Sequence, residues 1–87
     1  MAHEHKNIRI KLGIAVRRIR LQKGLTQEAL SKRASLNRSY VTEVERGRRN
    51  PSIKVIEELA IGLGVGLTEL FSAVESADPM LRTASKK

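Results

Sequence analysis

Apolar residues recur at helical spacing along the first part of the chain. Four of them lie three or four positions apart: Ile8, Leu12, Val16 and Ile19. This repeat places side chains on one face of an α-helix. The apolar residues up to Ile14 also alternate as in a β-strand, but the helical repeat continues beyond the alternating stretch and therefore favours a helix. The pattern predicts a first helix that ends near Lys23, with Gly24 in the left-handed conformation that often follows a helix.

Shorter apolar repeats, together with residues typical of helix ends, predict four more helices. Thr26, Asn37 and Ser52 are expected N-caps, because their side chains accept hydrogen bonds from the free N–H groups of a first helical turn. Gly47 and Gly64 are expected to end the third and fourth helices. The predicted spans are 27–33, 38–46, 53–63 and 67–73. Their apolar residues are expected to face the core: Leu30, Ala34, Ile53, Ile56, Leu59, Ala60, Leu63, Leu67, Leu70 and Phe71.

The predicted fold is all-α, a compact domain of five helices. The interval between the second and third helices is only about three residues, around Ser35 and Leu36. Two short helices joined so tightly form a helix-turn-helix, whose second helix can lie in the major groove of DNA. The domain is predicted over residues 8–74, after a flexible N-terminus over residues 1–7. The polar segment over residues 75–87 is predicted to be a mostly disordered tail.

Positive charge is concentrated in the first half of the chain. Residues 1–50 carry thirteen Lys or Arg against four Glu, whereas the whole chain has a net charge of +8. This asymmetry favours a polyanion partner, nucleic acid before an anionic membrane surface, over a merely solvated basic face. No apolar run approaches the roughly 20 residues that span a bilayer. The N-terminus also lacks the apolar segment of a signal peptide, so we expect a soluble cytoplasmic protein.

The third predicted helix has a narrow apolar side and a wide polar one. Val41 and Val44 lie on one side with Glu45 beside them, and the opposite side carries Ser39, Thr42, Glu43 and Arg46. Arg38 stands at the N-terminal end, the part of a recognition helix that usually meets base edges. Arginine suits guanine, serine and threonine suit several bases, and glutamate can accept from cytosine. Glu43 could equally act by repelling wrong sequences.

Basic residues follow this helix. Arg46, Arg48 and Arg49 are expected phosphate contacts, which position a protein on DNA without reading its sequence. Gln27 begins the second helix, where free N–H groups favour an anion. From the residues alone, a solvated first-turn side chain is the better interpretation of Gln27.

Three segments together resemble the phage-repressor and Cro-type (XRE-type) helix-turn-helix family: IRLQKGLTQEAL, LNRSYVTEVERGRRNPS and LAIGLGVGLTELF. The second segment is also similar to the small controller proteins of restriction–modification systems. The resemblance implies a five-helix lambda-repressor-like domain that binds double-stranded DNA without a cofactor. It also implies a homodimer on a palindromic operator, and a transcriptional regulator that acts as a repressor or autoregulator.

The resemblance assigns roles to individual residues. Those that would face bases are Asn37, Arg38, Ser39, Thr42 and Glu43. Those that would meet phosphates are Gln27, Tyr40, Arg46, Arg48 and Arg49. Arg20 would pair with Glu45 and tie the third helix to the first. Two positions depart from the family pattern, since Ser35 replaces a preferred glycine in the turn and Gly66 replaces a capping Ser or Asp.

Other functions are weaker hypotheses. An enzyme is not expected, because no paired carboxylates, nucleophile with a base, or Gly-rich phosphate loop is visible. The histidines at positions 3 and 5, beside Glu4, could bind a metal loosely, although a solvated terminus is the better interpretation. An antitoxin-like protein-interaction module could use the apolar residues off the main stripe, Ile10, Ile14 and Leu21. Membrane-surface binding ranks lowest, because charge surrounds too much of the first helix.

Overall fold

The computed structural model describes residues 3–79, with side chains from Ile8 onward, and its regular structure in that range is entirely helical. Its five helices are α1 (His3–Gln22), α2 (Gln27–Ala34), α3 (Arg38–Glu45), α4 (Ile53–Leu63) and α5 (Leu67–Ser76). The prediction of a five-helix all-α fold is therefore confirmed. Among the described residues, no helix is long and apolar enough to cross a membrane.

The two outer helices are longer than the sequence pattern predicts. The backbone of α1 is helical from His3 onward, although residues 1–7 were expected to be flexible. The helix contains no glycine or proline before Gly13. α5 continues to Ser76, and Ala77 after it is buried. The limits of the domain at residues 8 and 74 remain a prediction, and the part of the predicted tail over residues 80–87 lies outside the described residues.

Polar side chains begin the three central helices as predicted. Thr26 Oγ1 accepts from the Ala29 N–H at 2.9 Å, Asn37 Oδ1 accepts from the Ser39 N–H at 2.8 Å, and Ser52 Oγ accepts from the Val55 N–H at 3.2 Å. Gly66 precedes α5 without a side-chain cap bond, as expected for a residue that has no side-chain acceptor. Each of these bonds joins residues two or three positions apart, at the start of α2, α3 and α4.

One aliphatic core joins all five helices. Its most completely buried large side chains are Leu30, Leu59, Leu63, Leu70, Val16, Val41 and Val44. α2 packs against α3 and α4, while α1 packs against α3 and α5. The helix-turn-helix is consequently supported from both sides, with α1 and α4 behind it.

Some apolar residues that the sequence pattern assigned to the core lie at the surface. Ile53 is 69% exposed, Phe71 is 39% exposed and Leu67 is 37% exposed, and Ile8 of the first apolar stripe is 52% exposed. Ile53 and Leu67 are the first residues of their helices, where the chain has only just entered the packed layer. Periodicity identifies a face of a helix but does not show how far along the helix its neighbours extend.

Two glycines are placed where helices touch. A Cβ added at Gly13 of α1 would lie 2.6 Å from the carbonyl oxygens of Val44 and Glu45, at the end of α3. A Cβ added at Gly62 of α4 would lie 2.8 Å from the Cβ of Ala34 in α2. Helix propensity alone counts Gly62 as a cost of roughly 1 kcal/mol relative to alanine. The close contact with α2 explains why glycine stands there nevertheless.

The turn between α2 and α3 requires a left-handed residue. Ser35 has φ 58° and ψ 42°, and it is the one non-glycine residue with positive φ in the described chain. After this reversal, the Leu36 N–H donates to the Ser31 carbonyl at 2.8 Å. The family pattern of glycine at this position therefore has a conformational reason, and serine meets the same requirement under strain.

Candidate nucleic-acid interface

α3 is anchored through its apolar side and leaves its polar side available. Val41 and Val44 are buried in the core, and Glu45 is buried beside them. Arg38, Ser39 and Arg46 are exposed, and Thr42 and Glu43 are half-buried. The buried side is narrow because α3 contacts only α1 and α2 closely. The side that faces away from the core carries hydrogen-bonding groups suited to base edges.

A buried ion pair joins the end of α1 to the end of α3. Arg20 Nε donates to Glu45 Oε2 at 2.6 Å, and Arg20 Nη2 donates to Glu45 Oε1 at 3.0 Å. The remaining guanidinium nitrogen, Nη1, donates to the Leu25 carbonyl at 2.8 Å, just before α2. A bidentate pair of this kind fixes orientation as well as distance. Arg20 and Glu45, which the resemblance pairs, are thus in direct contact and hold α3 against the start of α2.

The Gln27 side chain extends this pair into a network. Its Nε2 donates to Glu45 Oε1 at 3.0 Å, and its Oε1 accepts from the Thr42 hydroxyl at 2.8 Å. Gln27 is half-buried rather than an ordinary solvated residue. Sequence reasoning did not anticipate these contacts, because Gln27 and Thr42 are fifteen positions apart and on different helices. A polar pair on two helices gives no periodic signal.

The N-terminal end of α3 presents a second, local arrangement. Asn37 Oδ1 accepts from the Ser39 hydroxyl at 2.6 Å as well as from the Ser39 N–H. Within the described residues, the Arg38 side chain makes no hydrogen bond or ion pair. Arg38 is therefore the long donor side chain at this end whose guanidinium is not bound by any described residue.

Arginines and one glutamate lie at the other end of α3. Glu43 faces Arg46 at 3.7 Å and Arg48 at 4.0 Å, with both arginine side chains exposed and the Glu43 side chain partly exposed. Contacts of this length at a solvated surface are weak, so both arginines remain able to bind an anion. Glu43, an expected base contact, lies next to two expected phosphate contacts.

Tyr40 and Arg49 form the remaining part of this surface. The guanidinium carbon of Arg49 lies 5.0 Å from the centre of the Tyr40 ring, within the range of a cation–π contact. Tyr40 is half-buried and packs against the core. The resemblance assigns Tyr40 and Arg49 separately as contacts to DNA phosphates, and the structure places the two side chains in contact with each other.

No group of three or more potential metal ligands occurs among the residues whose side chains are described. The side chains of His3, Glu4 and His5, considered as a loose metal site, lie outside that part of the chain.

Known helix-turn-helix proteins match the region that contains this surface. The sequence model of the helix-turn-helix family matches residues 16–70. The control protein C.MunI of Mycoplasma sp is 37% identical over 70 residues, which cover 79% of this chain and 95% of C.MunI.

Solved structures of controller proteins have the same fold. The restriction–modification controller protein C.AhdI from Aeromonas hydrophila superposes with a TM-score of 0.70 and 46% identity, covering 72% of this chain and 96% of C.AhdI. The controller protein C.Esp1396I, solved as a tetramer in complex with its natural 35 base-pair operator, gives a TM-score of 0.75 and 35% identity. That comparison covers 78% of this chain and 90% of the C.Esp1396I chain.

Proposed function

This chain belongs to the helix-turn-helix family of transcriptional regulators, and we propose that it binds double-stranded DNA sequence-specifically by placing α3 in the major groove. The observation that carries the proposal is the division of α3 into a buried side, Val41, Val44 and Glu45, and a polar side flanked by arginines. A helix that only supported the core would not need this arrangement.

The proposed base contacts lie on the polar side and at the N-terminal end of α3. They are Asn37, Arg38, Ser39, Thr42 and Glu43. Arg38 is the strongest candidate, since its guanidinium can donate two hydrogen bonds to guanine O6 and N7. Asn37 would use its amide N–H groups, because its oxygen accepts from Ser39. Glu43 would either accept from cytosine or repel other bases while it remains close to Arg46 and Arg48.

The proposed phosphate contacts surround α3. They are Gln27, Tyr40, Arg46, Arg48 and Arg49. For Gln27, the backbone N–H at the start of α2 is the better donor, because the side-chain amide is bound to Glu45 and Thr42. Tyr40 and Arg49 would approach the backbone as a stacked unit. These contacts would set the register of α3 without reading bases.

A homodimer on a palindromic operator is part of the proposal. Phe71 and Leu67 leave apolar area exposed on α5, which supports α5 and its surroundings as the contact between two copies. Two copies related by two-fold symmetry would place their α3 helices about one DNA turn apart. A monomer mass by light scattering at high protein concentration would contradict this part of the proposal.

The proposed activity requires no cofactor and no catalysis, and the proposed location is the cytoplasm. The competing hypothesis of a protein-interaction module is less well supported. Of the apolar residues that would serve it, Leu21 is exposed, but Ile10 and Ile14 are half-buried. The Ile10 side chain in addition lies where Gly47 comes close to α1. We therefore retain DNA binding as the main function.

Selection of bound sequences from a random pool of double-stranded DNA tests the proposal. We expect one enriched motif with inverted symmetry, bound about a thousandfold or more tightly than random DNA at physiological salt. A pool that shows no enrichment after repeated rounds would overturn the proposed function. Enrichment of a motif without symmetry would preserve sequence-specific binding and remove the palindrome.

A further inference from the structure

The hydrogen bonds that connect Arg20 to Thr42 can run in only one direction. Arginine has donors and no acceptor, and an ionised carboxylate accepts only. The end of the Gln27 amide that faces Glu45 must therefore be its NH₂ group, so the carbonyl Oε1 faces Thr42. A carbonyl oxygen cannot donate, so the hydrogen in the bond between Gln27 and Thr42 comes from the Thr42 hydroxyl.

The second neighbour of the Thr42 hydroxyl, the Arg38 carbonyl, is also a hydrogen-bond acceptor. Thr42 Oγ1 lies 3.2 Å from the carbonyl oxygen of Arg38, one helical turn earlier, and 2.8 Å from Gln27 Oε1. Both neighbours are acceptors, and a hydroxyl has a single hydrogen to donate. Whichever neighbour receives it, the Thr42 oxygen has only lone pairs left for a third partner.

We propose that Thr42 is a specificity-determining residue that acts only as a hydrogen-bond acceptor and reads the amino group of an adenine or a cytosine. This inference rests on the proposed function, in which the polar side of α3 faces base edges. In the major groove, adenine N6 and cytosine N4 are donors, whereas guanine O6 and thymine O4 are acceptors. An acceptor-only hydroxyl therefore favours an amino base and disfavours a keto base on the strand that it faces.

The inference concerns Thr42 rather than Ser39 because their partners are held differently. Ser39 also donates its hydrogen, to Asn37 Oδ1, but both residues are exposed on one short segment. A small rotation can release that hydroxyl when DNA approaches. The acceptor for Thr42 is held by Glu45, which is 3% exposed and bound to Arg20. Ser39 consequently provides a matched control, a hydroxyl on the same helix whose direction is not fixed by buried groups.

The first experiment compares sequence selection by the full-length protein and three variants. We expect Thr42→Val, which keeps the branched shape and removes the hydroxyl, to lose its base preference at one position of each half-site. Thr42→Ser should retain the preference, and Ser39→Ala should retain it at that position. An unchanged preference in Thr42→Val overturns the inference, as does a Thr42→Ser variant that behaves like Thr42→Val. If the wild-type protein enriches no motif, the proposed function itself fails, which is a distinct outcome.

The second experiment removes single groups from the DNA at the position so identified. A purine without the 6-amino group replaces adenine, or a pyrimidinone without the 4-amino group replaces cytosine. Wild-type and Ser39→Ala protein should each lose roughly two- to tenfold in affinity, the effect of one hydrogen bond. Thr42→Val should show no further loss on the same DNA. Equal losses for wild-type and Thr42→Val, or a Thr42-dependent loss only when the keto oxygen of the paired base is removed, would overturn acceptor-only reading.

Discussion

At the scale of single residues, Arg38 is the proposed base contact with the largest expected effect on sequence preference. Its guanidinium is exposed at the start of the helix and is not bound by other described residues. We predict that Arg38→Ala weakens binding to the selected site by roughly 1–3 kcal/mol and relaxes preference at one base position. Fluorescence anisotropy on the selected site and on random DNA measures both effects. Lys54→Ala removes a positive charge from the exposed surface of α4 and is the control. Equal weakening on both DNAs would show that Arg38 contacts phosphate instead.

Ser35 is the residue at which the backbone itself is strained. A side chain at φ 58° destabilises the folded state by roughly 1–2 kcal/mol. Glycine avoids this strain, but its greater conformational entropy stabilises the unfolded chain by about 0.4–1 kcal/mol. We therefore predict that Ser35→Gly raises the free energy of unfolding by up to about 1.5 kcal/mol. Urea denaturation measures it. Ser35→Ala keeps the Cβ and should give no such gain, so equal stability of the two variants would argue against strain.

At the scale of the helices, features that depend on neighbouring residues could be predicted from the sequence, whereas contacts between distant residues could not. The caps Thr26, Asn37 and Ser52 could be predicted because each side chain bonds to a backbone group two or three residues away. The side-chain position of Gln27 depends on Glu45, eighteen residues later. The polar side of α3 was predictable from periodicity, whereas the network that directs the Thr42 hydroxyl depends on tertiary packing.

At Gly62, the sequence and the structure predict opposite effects of an alanine substitution on stability. Alanine is the better helix former by roughly 1 kcal/mol, which predicts stabilisation from sequence alone. The added Cβ, however, would lie 2.8 Å from Ala34 Cβ and 2.9 Å from Leu30 Cδ1. Overpacking typically costs about 1–3 kcal/mol, so we predict that Gly62→Ala lowers the free energy of unfolding. Thermal and urea unfolding measure the change. The double variant with Ala34→Gly should lose less than the sum of the single changes, and strict additivity would refute the close contact as the cause.

Removing one partner of the buried pair between α1 and α3 should cost more stability than removing one partner of a surface pair. Arg20→Met leaves Glu45 buried with Gln27 as its remaining side-chain donor, and we predict a loss of roughly 3–5 kcal/mol of unfolding free energy. The matched control is Lys32→Met, which removes the exposed partner of Glu28 at 3.6 Å. That change should cost no more than about 1 kcal/mol. Similar losses in the two variants, measured by urea denaturation, would contradict the importance of burial.

Across the whole molecule, most of the cations lie in the half of the chain that contains the proposed interface. Residues 1–50, which include α1, α2, α3 and the basic segment after α3, hold thirteen of the seventeen Lys and Arg residues. α4 and α5 contribute Leu59, Ala60, Leu63, Leu70 and Val74 to the shared core, and Lys54 is the one cation in these two helices. The sequence asymmetry therefore corresponds to a division of labour between a polyanion-binding part and a supporting part.

Arg48 provides the test of this electrostatic division. If Arg48 contacts a phosphate, removing its charge should release about one counterion fewer on binding. Arg48→Ala should therefore reduce the slope of log affinity against log salt concentration by about one unit. The loss should be nearly equal on selected and random DNA, because phosphates carry no sequence information. Glu43 lies 4.0 Å from Arg48 and already offsets part of its charge, so a somewhat smaller change remains consistent with a contact. Lys54→Ala, on the side of the supporting helices, should leave the slope unchanged. An unchanged slope for Arg48→Ala, with binding otherwise intact, would remove Arg48 from the phosphate contacts.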